Sequence, residues 1–326
     1  MKITCKFVVL IAALLASFAH AETWTKGKAP ILAPTLSWEN GQVGEPSIYY
    51  NASLSQWEMY YVGGWSQAQV GRAVCVGDPT VPSCWVKNPT PVLGHNIGGS
   101  WMYTGHQDLL VDDAGYHIFF SNVAGTIVNQ WLADSADGVN FTTRPIPIMQ
   151  NTYSRSIGNA ALFVDDDPDH TIYNMFDAAI SPQTGGIFQV YLARAARIGG
   201  PWVEDLRGPI TSLQVGTGTY GGLTIKKVNG KYNAWEIGAP SGQKPAYIYH
   251  FYSLNITSWV ALNSGNPVIG ITNENADVIG NPYAVDASVY GGQNSLLFYT
   301  TVLNSAGTGA IWVATSPGPL SSICPP

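Results

Sequence analysis

The chain has 326 residues, of which 46% are hydrophobic and 11% are charged, and its formal net charge is −6. This low charge content, with 11 Trp and 17 Tyr, indicates a packed globular protein and excludes an intrinsically disordered one. The acidic balance disfavours nucleic acid and anionic membrane surfaces, so we predict neither as a partner.

The first 21 residues have the features of a secretory signal peptide. Lys2 and Lys6 precede an apolar run at residues 7–18 that is too short to span a membrane as a helix. The small-x-small triplet at residues 19–21 then fits a cleavage site, which leaves Glu22 as the first mature residue. The alternative is a short membrane anchor. We predict a secreted protein, extracellular or periplasmic, with one domain over residues 22–326.

A module of roughly sixty residues recurs five times along the mature chain, a period that is typical of arrays such as propellers. Each module carries a proline followed by apolar residues, at Pro30, Pro91, Pro147, Pro209 and Pro267. No helical or leucine-rich solenoid has this period, whereas a four-stranded sheet with its turns does.

Within the modules, short apolar strands alternate with turn signals rich in Gly, Asn and Asp. We predict first strands at residues 46–50, 108–111, 160–164, 223–225 and 287–290. Aromatic second strands follow at residues 57–62, 116–120, 171–176, 232–235 and 296–300. Third strands end at residues 132–135, 192–195, 251–253 and 313–316, and the proline segment is the predicted fourth strand.

This pattern predicts an all-β five-bladed β-propeller with four-stranded antiparallel blades. The first proline segment precedes the first full module, and the last module has none after Ser316. The N-terminal segment should therefore supply the outer strand of the last blade, which closes the ring and protects a sheet edge. The alternative is a large β-sandwich.

A secreted protein enters an oxidising compartment, where cysteines can form disulfides. Cys75 and Cys84 flank a turn-rich segment, and we expect them to pair, whereas Cys324 is left over. No His/Cys spacing is typical of zinc and no phosphate-binding Gly loop precedes a helix, so we predict no metal and no cofactor.

The loops after the prolines should converge on one mouth of the central channel. They carry polar candidates at Glu45, His106, Asp108, Arg155, Asn159 and Asp286, and aromatic candidates at Trp101, Tyr103, Tyr220 and Tyr283. Aromatic faces stack on sugar rings, and paired carboxyls can cleave a glycosidic bond, so this set indicates a poly- or oligosaccharide partner. Superposed modules place Glu45-Pro46-Ser47 on Asp286-Ala287-Ser288, which predicts two carboxylates at equivalent height.

The modules resemble those of the five-bladed propeller glycosidases, the family 43 arabinanases and β-xylosidases with their invertase and levansucrase relatives. Glu45-Pro46-Ser47 resembles the family's Asp-Pro-Ser, and residues 157–167 resemble its third-blade Ile-Asp-Pro-Ser-Leu-Phe stretch before an acidic turn. The resemblance implies an Asp base in blade one, a pKa-tuning Asp in blade three and a Glu acid in blade four.

The chain departs from that set at each of the three positions. Blade one has Glu45, blade three has Asn159, and the blade-four segment at residues 219–222 has no carboxylate. The nearest later acid, Glu236, lies beyond the second strand and would have to be brought in by a loop.

We therefore hold two main interpretations, and a secreted interaction scaffold that binds no sugar is a third alternative. The first is a glycoside hydrolase with Glu45 as base or nucleophile and Asp286 or Asp108 as the partner acid or pKa-setting group. The second is a non-catalytic glycan-binding propeller that has lost its acid/base set. Structural alternatives also stand, because Asp286 could bind turn amides, Asp108 could tie neighbouring blades together, and Arg155 could neutralise the acids. The sequence leaves the sugar, the linkage and the oligomeric state open.

Overall fold

A computed structural model describes most of the chain from residue 22 onward as five small antiparallel sheets around a central axis, which confirms the predicted five-bladed propeller. The described residues are 22–64, 67–95, 104–124, 127–150, 156–179, 188–215, 219–239, 246–272, 276, 278–292, 294–303 and 308–325. The predicted signal peptide at residues 1–21 lies outside them.

Each blade is built from four consecutive strands, apart from the last. Blade 1 follows the short strand β1 (Thr25–Lys26) and contains β2 (Val43–Asn51), β3 (Gln56–Gly63), β4 (Gln69–Cys75) and β5 (Trp85–Lys87). Blade 2 contains β6 (Thr104–Asp112), β7 (Gly115–Ala124), β8 (Ile127–Ser135) and β9 (Thr142–Thr143). Blade 3 contains β10 (Ser156–Val164), β11 (Ile172–Ala179), β12 (Phe188–Ala195) and β13 (Val203–Glu204).

Blade 4 contains β14 (Thr219–Val228), β15 (Lys231–Gly238), β16 (Tyr247–Ser253) and β17 (Trp259–Ala261). Blade 5 contains β18 (Val278–Asp286), β19 (Asn294–Leu303) and β20 (Thr308–Pro317), and a helical turn follows at Leu320–Ile323. A single pairing of Phe188 with Thr219 links blades 3 and 4 into one sheet.

The core lies between neighbouring blades, because successive residues of a strand point to opposite faces of their sheet. On β3, for example, Tyr60 packs with residues of blade 2, and its neighbour Tyr61 packs with residues of blade 5. Similar apolar clusters lie between blades 2 and 3, 3 and 4, and 4 and 5. The first strands are thereby held around the axis.

The N-terminal segment closes the ring, as predicted. β1 pairs with β20 through Thr25 and Thr315, and Leu32 forms a further bridge to Ile311. Glu22, which precedes β1, contacts blade 4 through its carboxylate. Oε1 accepts a hydrogen bond from Trp235 Nε1 at 3.1 Å, and Oε2 lies 2.5 Å from His250 Nδ1.

Two strand predictions are wrong. The first strand of blade 5 is β18 rather than residues 287–290, which form a 3-10 turn capped by the Asp286 side chain. The fourth strands are short segments such as β5 and β17, whereas the proline segments contribute isolated bridges farther along the third strands, as between Leu93 and Val70. A proline lacks the N–H that a regular strand needs, which explains why these segments do not pair further.

The predicted disulfide between Cys75 and Cys84 is present, and it joins β4 to the turn before β5. Cys324 is a buried free thiol. Within the described part of the chain, no helix has the length and apolar character that crossing a membrane requires.

Candidate functional site

The first strands of blades 1, 3, 4 and 5 share an unusual backbone conformation near their N-terminal ends. Each is interrupted by a bulge, and the residues Glu45, Asn159, Gly222 and Asn281 there have φ angles of 54°, 42°, 114° and 48°. Asn and Gly tolerate this left-handed region, whereas a Glu in it is uncommon. Blade 1 thus has a carboxylate at a backbone position where blades 3, 4 and 5 have the residues that the backbone favours.

These bulges surround a small space on the axis, which we call the upper pocket. It holds a volume of about 20 Å³, enough for about one water molecule. All five blades contribute to its lining, which comprises Glu45, Pro46, Ser47, Gln107, Asp108, Asn159, Ala160, Gly222, Leu223, Asn281, Pro282 and Tyr283.

The backbone of Glu45 is fixed from two neighbouring blades. Its N–H donates to Thr300 Oγ1 at 2.7 Å, and its carbonyl accepts from Gln107 Nε2 at 2.8 Å. A Cβ on the preceding Gly44 would lie 2.6 Å from Thr300 Cγ2, so only glycine allows this approach. Since Glu45 is only 6% exposed, its side chain is held in the pocket wall with little freedom.

Asp108 shares the upper pocket with Glu45, and its carboxylate connects three blades. Oδ1 accepts from Ser47 Oγ at 3.2 Å and from the Leu109 N–H at 2.8 Å, and Oδ2 accepts from the Leu162 N–H at 2.7 Å. Burial raises the pKa of Asp108 to about 6, although the Leu162 hydrogen bond and the charge of Lys226 oppose the shift. Asp108 therefore ties blades 1, 2 and 3 together and can also exchange a proton near neutral pH.

Asp286 is placed differently from the prediction. It is the last residue of β18, and its carboxylate accepts from the Ser288 N–H and Oγ at 3.1 and 2.5 Å and from the Leu320 N–H at 3.1 Å. The segment that matches Glu45-Pro46-Ser47 is Asn281-Pro282-Tyr283, so the superposition of Asp286 on Glu45 is wrong. Asp286-Ala287-Ser288 is similar to Glu45-Pro46-Ser47 in sequence, but Asp286 lies at the opposite end of its strand and caps the turn that follows.

The remaining predicted site residues fall into two groups. Asn159 and Tyr283 line the upper pocket, and the phenol of Tyr283 lies near the backbone of Ile48 in blade 1. His106 and Tyr220 lie on β6 and β14, but their side chains are outside the described set, as are the whole residues Trp101, Tyr103 and Arg155. Among the described residues, no group of three or more His, Cys, Asp and Glu could hold a metal ion.

Comparisons with known proteins give the same architecture. No protein-family model matches the chain, and no curated protein matches it in sequence. Among solved structures, a thermostable family-43 glycoside hydrolase matches with a TM-score of 0.63 and 14% identity, covering 83% of this chain and 88% of its own. The chain has the fold of the five-bladed glycoside hydrolases.

Two further glycoside hydrolases support this result. An α-L-arabinofuranosidase from Podospora anserina, in complex with cellotriose, has a TM-score of 0.66 at 10% identity and covers 94% of this chain and 100% of its own. A family 117 glycoside hydrolase from Zobellia galactanivorans has a TM-score of 0.64 at 10% identity, with 92% and 91% covered. At these identities the comparison shows the shared fold.

Against this glycoside hydrolase fold, Glu236 is a residue that the sequence reasoning undervalued. It lies on β15 and pairs with Leu223 of the upper pocket, so no loop is needed to bring it near. The equivalent residues of the other blades, each opposite the bulge of its first strand, are the aromatics Tyr61, Phe120, Phe176 and Tyr299.

The pairing with the third strands supports that equivalence. Tyr249 pairs with Glu236, just as Trp131, Tyr191 and Trp312 pair with the aromatics of blades 2, 3 and 5. The four aromatics are fully buried and Glu236 is 1% exposed. Aligning the second strands by their aromatics would have revealed this one acid in a core position of blade 4.

Proposed function

We propose that this protein is a glycoside hydrolase that acts on an oligo- or polysaccharide in the propeller's central cleft, beside the upper pocket, with Glu45 as base or nucleophile. The supporting observation is the left-handed backbone of Glu45. A conformation that costs free energy for a Glu persists when function requires the side chain there. The fold shared with glycoside hydrolases and the second carboxylate of Asp108 in the same pocket support this proposal.

The test is hydrolysis of a panel of neutral and acidic oligosaccharides by the wild type and by Glu45→Gln. We expect Glu45→Gln to lower kcat about 10²- to 10⁴-fold, because loss of a positioned acid–base group has this effect. The matched control is Glu204→Gln on the outer strand β13, which should retain wild-type turnover. Wild-type turnover in Glu45→Gln would refute the assignment.

The proton donor is assigned between two residues by kinetics. Asp108 lines the pocket and has a pKa near neutral pH, whereas Glu236 lies in blade 4 beside Leu223. Loss of a general acid slows cleavage of an unactivated glycoside far more than that of an activated aryl glycoside, because a good leaving group needs no proton. Of Asp108→Asn and Glu236→Gln, the variant that shows this selective loss identifies the acid.

A second function is favoured by one observation. Blades 3 and 4 place Asn159 and Gly222 at the positions equivalent to Glu45, and neither residue can ionise. If the protein is a glycan-binding propeller without activity, a glycan array will give ligands that the wild type never hydrolyses. Glu45→Gln would then bind the same ligands, and neither it nor the wild type would hydrolyse them.

We also propose that the protein is secreted after removal of residues 1–21. The disulfide and the docking of Glu22 on blade 4 support this. Expression of the full chain in its host followed by N-terminal sequencing of the exported protein should give Glu22 as the first residue. A retained leader would contradict the proposal.

A further inference from the structure

The axial channel has a second opening at the end opposite the upper pocket. A cavity of about 430 Å³ lies there, and we call it the lower cavity. Its lining comes from the first strands of blades 1, 2, 4 and 5 and from the turn after β18, and the residues that matter here are Tyr49, Tyr50, Lys226, Tyr283, Asp286 and Tyr290. Its volume is within the range of small-molecule sites.

Tyr283 separates the two spaces. Its side chain comes from blade 5, lines both the upper pocket and the lower cavity, and lies near the Ile48 backbone of blade 1. Burial raises its pKa well above the ordinary value, so the phenol stays neutral. A ligand in the lower cavity therefore does not need to enter the upper pocket.

Lys226 places a positive charge on the wall of the lower cavity. Its Nζ lies 4.6 Å from the ring centroid of Tyr283, and no residue in the described part of the chain accepts a hydrogen bond from it. Its electrostatic partner is Asp108, whose carboxylate already accepts from Ser47, Leu109 and Leu162. Three ammonium donors are thus left for water or for a ligand.

The neighbouring Lys227, in contrast, has its ammonium group paired with carboxylates. Lys227 points to the other face of β14, where its Nζ lies 2.6 Å from Asp165 Oδ1 and also contacts Asp166. Asp286 is the carboxylate among the residues that line the lower cavity, and it already accepts hydrogen bonds from Ser288 and Leu320. Lys226 therefore stands out as the cation that can pair with an incoming anion.

We propose that the lower cavity binds a small carboxylate carried on a sugar ring, that is, a hexuronate. The carboxylate would accept hydrogen bonds from the Lys226 ammonium, and the ring would pack on the tyrosines at the rim. Tyr50 and Tyr290 already lie together there, with ring centroids 4.5 Å apart, and Tyr290 is 44% exposed. This inference is independent of hydrolysis at the upper pocket.

Binding should weaken as the pH rises. The charged or titratable groups that face Lys226 or line the cavity are Asp108, Tyr49, Tyr50, Tyr283, Asp286, Tyr290 and Lys227. Asp108, with a pKa of about 6, is neutral below that pH and leaves Lys226 without a counter-charge, which favours the ligand. Burial lowers the pKa of Lys226, so its own charge is also lost earlier than usual at high pH. Both changes act in the same direction.

The experiment is calorimetric titration of the mature protein with sodium D-glucuronate and with D-glucose at pH 5 and pH 8. We expect glucuronate to bind at least tenfold more tightly than glucose, and more tightly at pH 5. Lys226→Met should weaken glucuronate at least tenfold, whereas Lys231→Met, which removes an equal charge from β15, should not.

Two results would overturn the proposal: equal affinity for glucose and glucuronate, or unchanged binding in Lys226→Met. A crystal of the wild type soaked in glucuronate provides a test that does not depend on the variant folding. Density for the sugar against Lys226 and Tyr290 is expected. Density only at the upper pocket, or none in the lower cavity at saturating ligand, would refute the site.

Discussion

Glu45 has a backbone conformation that is unfavourable for its residue type. With φ at 54°, a Cβ at this position crowds the backbone, and the penalty for an L-residue is about 1–2 kcal/mol. The equivalent residues Asn159, Gly222 and Asn281 avoid most of that penalty. The sequence could flag Glu45 through the Glu-Pro-Ser segment, but it could not reveal the strained angle, because that depends on the bulge.

The strain predicts an inverted order of variants at this residue. Glu45→Gly should be more stable than Glu45→Ala by about 1 kcal/mol, since the two differ only in the Cβ that the left-handed backbone disfavours. Urea unfolding of the two variants gives the comparison. The control is Ser47, two residues along β2 and without a positive φ, where Gly should be less stable than Ala. If the Ala variant is more stable than the Gly variant at both residues, Glu45 is not strained.

Asp108 makes stability depend on pH. Its pKa is raised from 3.8 to about 6 in the folded protein, so the folded state binds the proton more tightly than the unfolded state. Its stabilising contribution is therefore complete below about pH 4 and is lost as the pH rises through about 6, by roughly 3 kcal/mol.

Asp108→Asn should lack the pH-dependent contribution of Asp108 to the free energy of unfolding. We expect the free energy of unfolding, measured with urea from pH 4 to pH 7, to fall less steeply in Asp108→Asn than in the wild type. Asp113→Asn, in the exposed turn after β6, is the control that should follow the wild type. Parallel pH profiles for Asp108→Asn and the wild type would contradict the assigned pKa.

At the level of the strand, the sequence predicted the repeating hairpins better than the strands beside the axis. The second strands β3, β7, β15 and β19 contain the predicted aromatic segments, and β11 contains all of its segment except residue 171, because turn residues and alternation mark them locally. The fifth first strand was misplaced because Asp286-Ala287-Ser288 imitates Glu45-Pro46-Ser47. Only the pairing of Tyr283 with Phe298 across the bulge identifies the true equivalent.

The disulfide stabilises the outer edge of blade 1. The bond between Cys75 and Cys84 closes a loop with a sequence separation of 9, and a loop of this length gives about 2–3 kcal/mol through the entropy of the unfolded chain. The double variant Cys75→Ala/Cys84→Ala should lose that amount, measured by urea unfolding. Wild-type protein in reductant should behave like the double variant, which itself should not respond to reductant. A response in the double variant would exclude this bond as the cause.

For the whole molecule, the ring depends on a contact between distant parts of the chain. The carboxylate of Glu22 and the ring of His250 are 2% and 0% exposed, and they meet between the N-terminal segment and blade 4. The proline spacing predicted the closing strand, but Glu22 as a buried anchor has no local signal, because its partners Trp235 and His250 lie on β15 and β16.

Removal of this anchor should weaken the entire ring. Glu22→Ala leaves the buried imidazole and the Trp235 N–H without their acceptor, and we expect a loss of about 3 kcal/mol in the free energy of unfolding. Lys28→Ala, exposed in the same segment, should be neutral. Calorimetric melting of both variants provides the measurement, and an unchanged melting temperature in Glu22→Ala would mean that closure rests on β1 alone.

The pairing of Thr25 with Thr315 also sets the order in which the protein can mature. Blades 1 to 4 can assemble while translation continues, but the fifth sheet has to wait for the last residues to join the first. Until then the polypeptide is an open arc with a bare strand edge, a form that proteases and chaperones recognise. A ribosome that stops early should therefore yield fragments that are cleared, rather than a partly working four-sheet product.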